Sequence, residues 1–284
     1  MYDCRNETPI CSENKSGFDA VVGAALQAEE PRPRFEPCGN GLIVALRGVN
    51  LNPGADPEDM VSVRLWVDER RIVSVRRRQL MAIRDIVDEI ESGAAPATTG
   101  EFIALLADRL VSRMGPVLAN LDEQVDELED TLLTAPNREV RAKLGAIRRQ
   151  AIALRRYICP QCEALARLSQ HAPAWINSED RHRLREVADH ITRYVEDLDS
   201  IRERAAVMQD EIGNRMSEQT NRNMYLLSLV AAVFLPLSFI TGLLGVNVGG
   251  VPGTSAPWAF LALCAILAVI GAFEIWLVRT MKWF

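Results

Sequence analysis

The sequence holds only three histidines among 284 residues, and nowhere does a nucleophile stand with a paired base or a complete metal triad come together. An enzyme is therefore not the expected class. Cysteine is sparse too: the six, at Cys4, Cys11, Cys38, Cys159, Cys162 and Cys264, lack the dense even spacing of a secreted disulfide framework, so free thiols in a reducing compartment are expected. None of Gly39, Gly41, Gly48 and Gly54 opens a helix directly after a strand, which removes a phosphate cradle. The first residues, Met1-Tyr-Asp-Cys-Arg-Asn-Glu7, have no apolar core, so no secretory signal is expected. Net charge is -6, which argues against nucleic acid as a partner and permits attraction of cations.

Charge is missing most completely near the C-terminus. Residues 224–244 carry none, and residues 258–278 carry only Glu274. At about 1.5 Å per residue each run reaches roughly 30 Å as a helix, the thickness of a bilayer's hydrocarbon. Two transmembrane helices are expected, joined by the glycine-rich loop Leu244-Gly-Val-Asn-Val-Gly-Gly-Val-Pro-Gly253. Arg215 and Arg222 precede the first span, Arg279 and Lys282 follow the second, and the loop has no Lys or Arg, which places both termini in the cytoplasm. Trp258, Trp276 and Trp283 stand where an aromatic belt would lie.

Upstream, residues 1–38 are polar and Pro-containing, and weak order is expected there. Apolar runs over 41–49, 60–67 and 72–77 predict strands, the last two forming a hairpin around Asp68-Glu69-Arg70, and residues 81–91 predict a helix. This gives an α+β domain over 39–98, closed by a Gly/Ala/Thr linker. From Glu101 the apolar spacing changes to three and four residues and predicts one long helix up to the break at Ala135-Pro136. A second helix follows up to Pro160. A third starts at Ser178 as N-cap and runs on to Leu244, roughly 100 Å at 1.5 Å per residue, with a break near Gly213 as the alternative. Residues 99–222 are thus a helical bundle and stalk, 223–244 the first span, 245–257 the outer loop, 258–278 the second span and 279–284 a cytosolic tail.

Two helices cannot enclose water, so the spans are either an anchor or parts of a homo-oligomer. Asn221, Met224, Ser228, Ala231, Leu235, Ser238 and Gly242 recur at steps of three and four on the first span, with Thr241 beside them. Such a stripe suits a path lined by helices rather than lipid; hydroxyls bonding back to their own helix are the alternative. Small residues Ala262, Ala265, Ala268 and Ala272 suit the second span to close packing outside the first. At the mouth, Asn247 offers a neutral amide, and a ring of such amides can recognise a divalent cation that keeps its water.

Other candidates are kept beside bland readings. Cys159-Pro-Gln-Cys162 has the spacing of half a zinc site, or is a pair of buried thiols. His182, Glu186 and His190 could hold a regulatory cation, or form a solvated face. The acidic run Asp122, Glu123, Asp126, Glu127, Glu129 and Asp130 is surface or an electronegative funnel. Glu274 could couple protons, or pair with Arg279.

With these residues in view the chain resembles the CorA family of divalent-metal transporters, whose Gly-Met-Asn signature ends the first of two C-terminal spans. Here it reads Gly245-Val246-Asn247. Val246 and the following Val248-Gly-Gly-Val-Pro-Gly253 look like the zinc-transport branch rather than the magnesium branch. Leu46-Arg-Gly-Val-Asn-Leu-Asn-Pro53, Pro57-Glu-Asp-Met-Val-Ser62 and Glu218-Gln-Thr-Asn-Arg-Asn-Met224 are further similar stretches, so the likeness runs from about residue 30 to the end. The resemblance implies a funnel-shaped homopentamer in a bacterial inner membrane, with a cytosolic α+β domain and a stalk helix that becomes the pore lining. It assigns Gly245, Val246 and Asn247 to selectivity and Asn221, Met224, Leu235, Ser238 and Gly242 to the lining, to which the spacing of the stripe adds Ser228 and Thr241. The expected cargo is zinc, taken up, with proton coupling left open and no resident cofactor. A magnesium or cobalt channel and a non-transporting tethered scaffold are the alternatives. The loop lacks the acidic residue that the magnesium branch tends to have there.

Overall fold

The computed structural model describes residues 20–29, 31–134, 138–246 and 257–280. Strand β2 (Gly41–Gly48) is buried at every position, which explains its near-continuous apolar sequence: both faces of its sheet are covered. It lies between β1 (Arg34–Cys38) and β3 (Val61–Val67), and β4 (Ile72–Arg76) completes an antiparallel meander in the order β1-β2-β3-β4. The Gly39-Asn40 turn joins β1 to β2, and Gly39 takes the left-handed φ of 61° that such a turn needs. At the β3–β4 turn Asp68 Oδ1 accepts from the backbone N–H groups of Arg70 and Arg71 at 2.8 and 2.7 Å, and Oδ2 accepts from the Arg71 guanidinium. Burial would raise the Asp68 pKa, but these donors outweigh it and hold it below the usual carboxylate range.

One sheet face, with Leu42, Val44, Leu46, Val63, Leu65 and Val67, joins a large core with the helices. On the other face Ile43 and Trp66 pack with Val22 and Leu26 of α1 (Ala20–Gln27) in a small separate cluster. The expected weak order over 1–38 therefore does not extend to its second half. The register Phe35↔Val44 and Arg34↔Ala45 pairs β1 with β2, and this partner lies downstream of β1. Residues 1–19 lie outside the described residues.

Helix α2 (Met81–Glu91) matches its expected bounds. The long helix expected from Glu101 is two, α3 (Thr99–Ser112) and α4 (Gly115–Thr134). At the break a Cβ on Gly115 would stand 2.6 Å from the Tyr194 hydroxyl, and Pro116 falls in the first turn of α4, where its missing N–H costs nothing. The helix expected to end at Pro160 does not: α5 (Arg138–Gln170) runs through it. Proline there leaves the Arg156 carbonyl without its intrahelical donor, at about 3 kcal/mol, and burial of Leu154, Ile158, Leu165 and Leu168 on both sides offsets the loss. The Ala135-Pro136 break lies outside the described residues.

Helix α6 (Ser178–Leu244) continues through Gly213 and Pro236, and α7 (Ala259–Thr280) follows. The cap of α6 is Asn177 rather than Ser178, since Asn177 Oδ1 accepts from Asp180 N at 2.7 Å. The chain divides into two compact units, residues 1–212 and 213–284. Within the first, sheet and helices share one core, and Thr98 caps α3 by accepting from Glu101 N at 3.0 Å. The expected boundary at 98/99 is a helix start within that unit.

Two clamps tie helices together in this unit. Arg113 donates from Nε and Nη2 to both oxygens of Asp85 at 2.6 Å, joining α3 to α2. The Arg113 hydrogen bonds hold the Asp85 pKa low, and Asp85 holds that of Arg113 high. At the other, Thr98 donates to Asp180 Oδ2 at 3.4 Å, and Gly100 is needed because a Cβ there would stand 2.8 Å from the same oxygen.

Two outcomes follow. Gly41→Ala places a methyl 2.8 Å from the Trp66 ring and the Val67 carbonyl, and overpacking of this kind lowers stability by about 1–3 kcal/mol in thermal unfolding of the detergent-solubilised protein. Asp180 is nearly fully buried, and desolvation raises its pKa against the opposing Thr98 bond. The folded state then holds its proton more tightly than the unfolded state, so stability from this group is full below the unfolded carboxylate pKa and is lost as pH rises through the raised folded value. Asp180→Asn abolishes that loss, so the difference between variant and wild-type melting temperatures should grow in the variant's favour from pH 4 to pH 7; a constant difference would refute it.

Candidate functional site

The second unit holds the part of α6 beyond Ile212, with its charge-free stretch from Met224, and α7. Among the described residues α6 is the one helix long and apolar enough to cross a membrane, and the described apolar stretch of α7, Ala259–Glu274, is shorter. Along α6 the less exposed positions are Tyr225, Leu229, Val233, Leu237 and Ile240. At 100° per residue they share one face. That face meets α7, where Leu237 Cδ1 lies 3.9 Å from the position a Cβ would take on Gly271.

Met224, Leu235, Ser238 and Gly242 lie roughly 140–160° round the helix from the middle of that face, Ser228 about 120° and Asn221 about 100° from it, and all six are exposed. The structure thus brings the predicted stripe together on the side of α6 that α7 leaves uncovered. Thr241 is different: its hydroxyl donates back to the carbonyls of Leu237 and Ser238 at 3.0 and 3.1 Å, the alternative weighed for the hydroxyls of this span. Large apolar side chains are exposed beside the stripe and on α7, among them Phe239 at 69% and Phe260 at 77%. Surface of this kind demands lipid or further protein.

At the end of α6, Gly245 N donates to the Thr241 carbonyl at 2.9 Å, and a Cβ on Gly245 would stand 2.9 Å from the same oxygen. Glycine is what lets the last turn close. Val246 follows, exposed. Asn247 lies outside the described residues, as do Trp283 and Lys282. Glu274 falls among the less exposed positions of α7, and its Oε2 is buried without a hydrogen bond.

The candidates in the first unit are not gathered into a metal centre. Among the described residues no group of three or more His, Cys, Asp and Glu side chains is placed to hold an ion. Cys159 and Cys162 are half-buried free thiols, and Cys162 Sγ lies 3.2 Å from Thr192 Oγ1. His182 Nε2 lies 3.4 Å from Glu186 Oε1, both about 70% exposed, while His190 packs against Tyr194 with ring centroids 4.6 Å apart and ring planes tilted by 47°.

One residue escaped the sequence reading. Arg204 of α6 reaches α4 and pairs with Asp122 at 2.9 Å, Glu129 at 2.8 Å and Asp126. Those three acids, at steps of four and three, occupy one helix face. The hydrogen bonds to Asp126 and Glu129 hold the Arg204 pKa above its ordinary value. A protein cation therefore already neutralises part of the acidic run.

Residues 11–280 match the family described as CorA-like Mg2+ transporter protein. The chain is 40% identical over 273 residues to the divalent cation transporter CmaX of Pseudomonas aeruginosa, covering 95% of this chain and 82% of that one. It is 38% identical over 262 residues to the zinc transport protein ZntB of Pectobacterium atrosepticum, covering 92% and 80%. The structure of full-length CmaX superposes with a TM-score of 0.82 at 37% identity, covering 95% and 83%. The CorA magnesium transporter of Methanocaldococcus jannaschii superposes with a TM-score of 0.80 at 18% identity, covering 94% and 85%, which shows the fold alone. Helices with an antiparallel sheet domain and one long helix are thus the CorA fold. The chain belongs to the CorA-like transporter family.

Replacing Arg204 by Ala leaves three carboxylates facing one another. Because the cluster is a third exposed or more, the expected loss is about 1 kcal/mol. Melting temperatures at low and high salt check it, and the gap to wild type should narrow as salt screens the pairs.

Proposed function

We propose that this divalent-cation transporter of the CorA family carries zinc across a bacterial inner membrane through the axis of a homopentamer. The observation that carries the reading is the stripe on α6: polar and small groups held together on the face turned away from α7, in a segment that lipid or protein must surround. Copies of α6 arranged around an axis cover that face and leave α7 outside. Residues 223–244 and 258–278 are the two spans, 245–257 the outer loop, 99–222 the stalk and bundle, and both termini are cytoplasmic.

In this arrangement Gly245, Val246 and Asn247 form the selective mouth. Stripping water from an ion is costly, on the order of 20 kcal/mol even for a single charge in the idealised limit, so a neutral ring of Asn247 amides selects a cation that stays largely hydrated. Asn221, Met224, Ser228, Leu235, Ser238 and Gly242 line the path below it. The ZntB relatives, 35–39% identical among those aligned, support zinc as cargo. Uptake is the proposed direction. Glu274 is the proposed coupling group, and since it belongs to the less exposed face of α7, a proton there acts through the packing of the spans.

Flux of zinc, magnesium and cobalt in reconstituted vesicles, with and without a proton gradient, tests this. Zinc flux should fall at least about tenfold, roughly 1.4 kcal/mol of barrier, in Asn247→Leu, and Glu274→Gln should lose its dependence on the gradient. Magnesium or cobalt flux with zinc excluded would move the cargo. No flux of any of the three in assembled wild type would leave a tethered scaffold.

A further inference from the structure

The sheet face under α1 carries a feature that transport does not use. Arg64, in the middle of β3, is 2% exposed, and Arg47 of β2 is 5% exposed. The register Ala45↔Arg64 and Arg47↔Ser62 makes them diagonal neighbours on one face, with side chains roughly 7–8 Å apart at their roots. Arg34 of β1 stands in the same cross-strand row, on the other side of the small Ala45.

Buried guanidinium groups are ordinarily met by carboxylates. Here the side-chain hydrogen bonds of the two, among the described residues, go to backbone carbonyls: Arg47 donates to Met60 O at 2.9 Å and Pro31 O at 3.4 Å, and Arg64 donates from Nη1 to Ala28 O. Two described acids near them in sequence are engaged elsewhere, Glu29 with Arg77 and Glu36 with Arg34, each at 3.3 Å. Arg47 also stacks on Tyr157, 3.9 Å from the ring centroid. That leaves Nε and Nη2 of Arg64, both occluded and both without an acceptor. Those two N–H groups are the parallel fork with which arginine grips a carboxylate or phosphate.

The cover over this fork is slight. Helix α1 has eight residues and, among those whose side chains are described, adds Val22 and Leu26 to a cluster of four buried residues, with Ala25 packed against it, separate from the main core. The segment that follows it supplies the carbonyls of Ala28 and Pro31, neutral acceptors standing where charged oxygens would bind more strongly. Burial, with Arg77 and Arg47 close by, already pushes the Arg64 pKa below its ordinary value, the mark of positive charge short of compensation.

We propose that α1, with Ala28 just beyond it, forms a lid over an oxyanion site, in which the Nε–Nη2 fork of Arg64 takes two oxygens of a carboxylate or phosphate and Arg47 adds the second positive charge. The anion binds on the edge of the guanidinium that the Ala28 carbonyl, held by Nη1, leaves free, and the lid lifts as it enters. A free phosphate, a phosphorylated metabolite and an organic acid share this chemistry.

The test uses the full chain in detergent, at constant ionic strength, with chloride exchanged for phosphate or for acetate. Wild type should melt several degrees higher, saturably, in at least one of the two, as a ligand of the folded state requires; which one responds separates phosphate from carboxylate. Arg64→Lys keeps the charge without the fork and should lose most of the shift. Arg64→Met should lose all of it, and in chloride should melt no lower than wild type, since it removes a buried unpaired charge. Should Arg64→Met fail to fold, hydrogen exchange on wild type decides: amides of residues 20–27 should exchange about threefold faster or more in the effective anion. A melting temperature independent of the anion, a shift that survives in Arg64→Lys, or a shift with unchanged exchange in α1 overturns the proposal.

Discussion

One continuous helix, α6, has to serve both a packed domain core and a long charge-free apolar stretch. From Leu184 to Ile212 the helix contributes a regular seam to an aqueous domain's core, with Leu184, Ile191, Leu198, Ala205 and Ile212 all fully buried. From Met224 onward the same helix has no charge at all, which suits the membrane setting proposed above, where backbone groups are met within the helix except at Pro236. The change along the helix is written mainly in its side chains. The capped start at Asn177, the acids Glu179 and Asp180 in the first turn and the glycine at its end all serve that single element.

Charge is organised by depth in the first unit. Where arginines lie partly open they meet carboxylates, Arg113 with Asp85, Arg109 with Glu89, Arg155 with Asp199, Arg204 with three acids of α4. Below the sheet the pattern reverses, and Arg47 and Arg64 are met by carbonyls and an aromatic ring. Both are strand residues in an otherwise apolar run.

Most of this architecture was legible from periodicity. Strands β2 to β4 and α2 came within a residue of their bounds because apolar content switches sharply at Asp68 and near Leu80, and the span of α6 was visible as an absence of charge. What failed to show had identifiable causes. Strand β1 contains Pro37 and alternates polar residues, so only its pairing with β2 makes it a strand. Pro160 looked like a stop because propensity knows nothing of the core that Ile158 and Leu165 join. The split between α3 and α4 did carry a local signal, Gly115-Pro116, since proline has no N–H to continue the helix, but apolar spacing runs through it unchanged. The stripe on α6 was readable because it obeys helical spacing; the Arg204 cluster was not, because it unites two helices.

Pro236 gives the span a mechanical character. With no N–H to offer, it leaves the Ala232 carbonyl without its intrahelical donor, midway between Met224 and Leu244. The ladder is weakest across that one turn, so bending strain concentrates there rather than spreading along the helix. In the proposed pore the helix then acts as two stiff segments joined at Pro236, one carrying Ser238 and Gly242 toward the mouth and the other Met224 and Ser228. A tilt of the first changes the width of that mouth while the second stays in place.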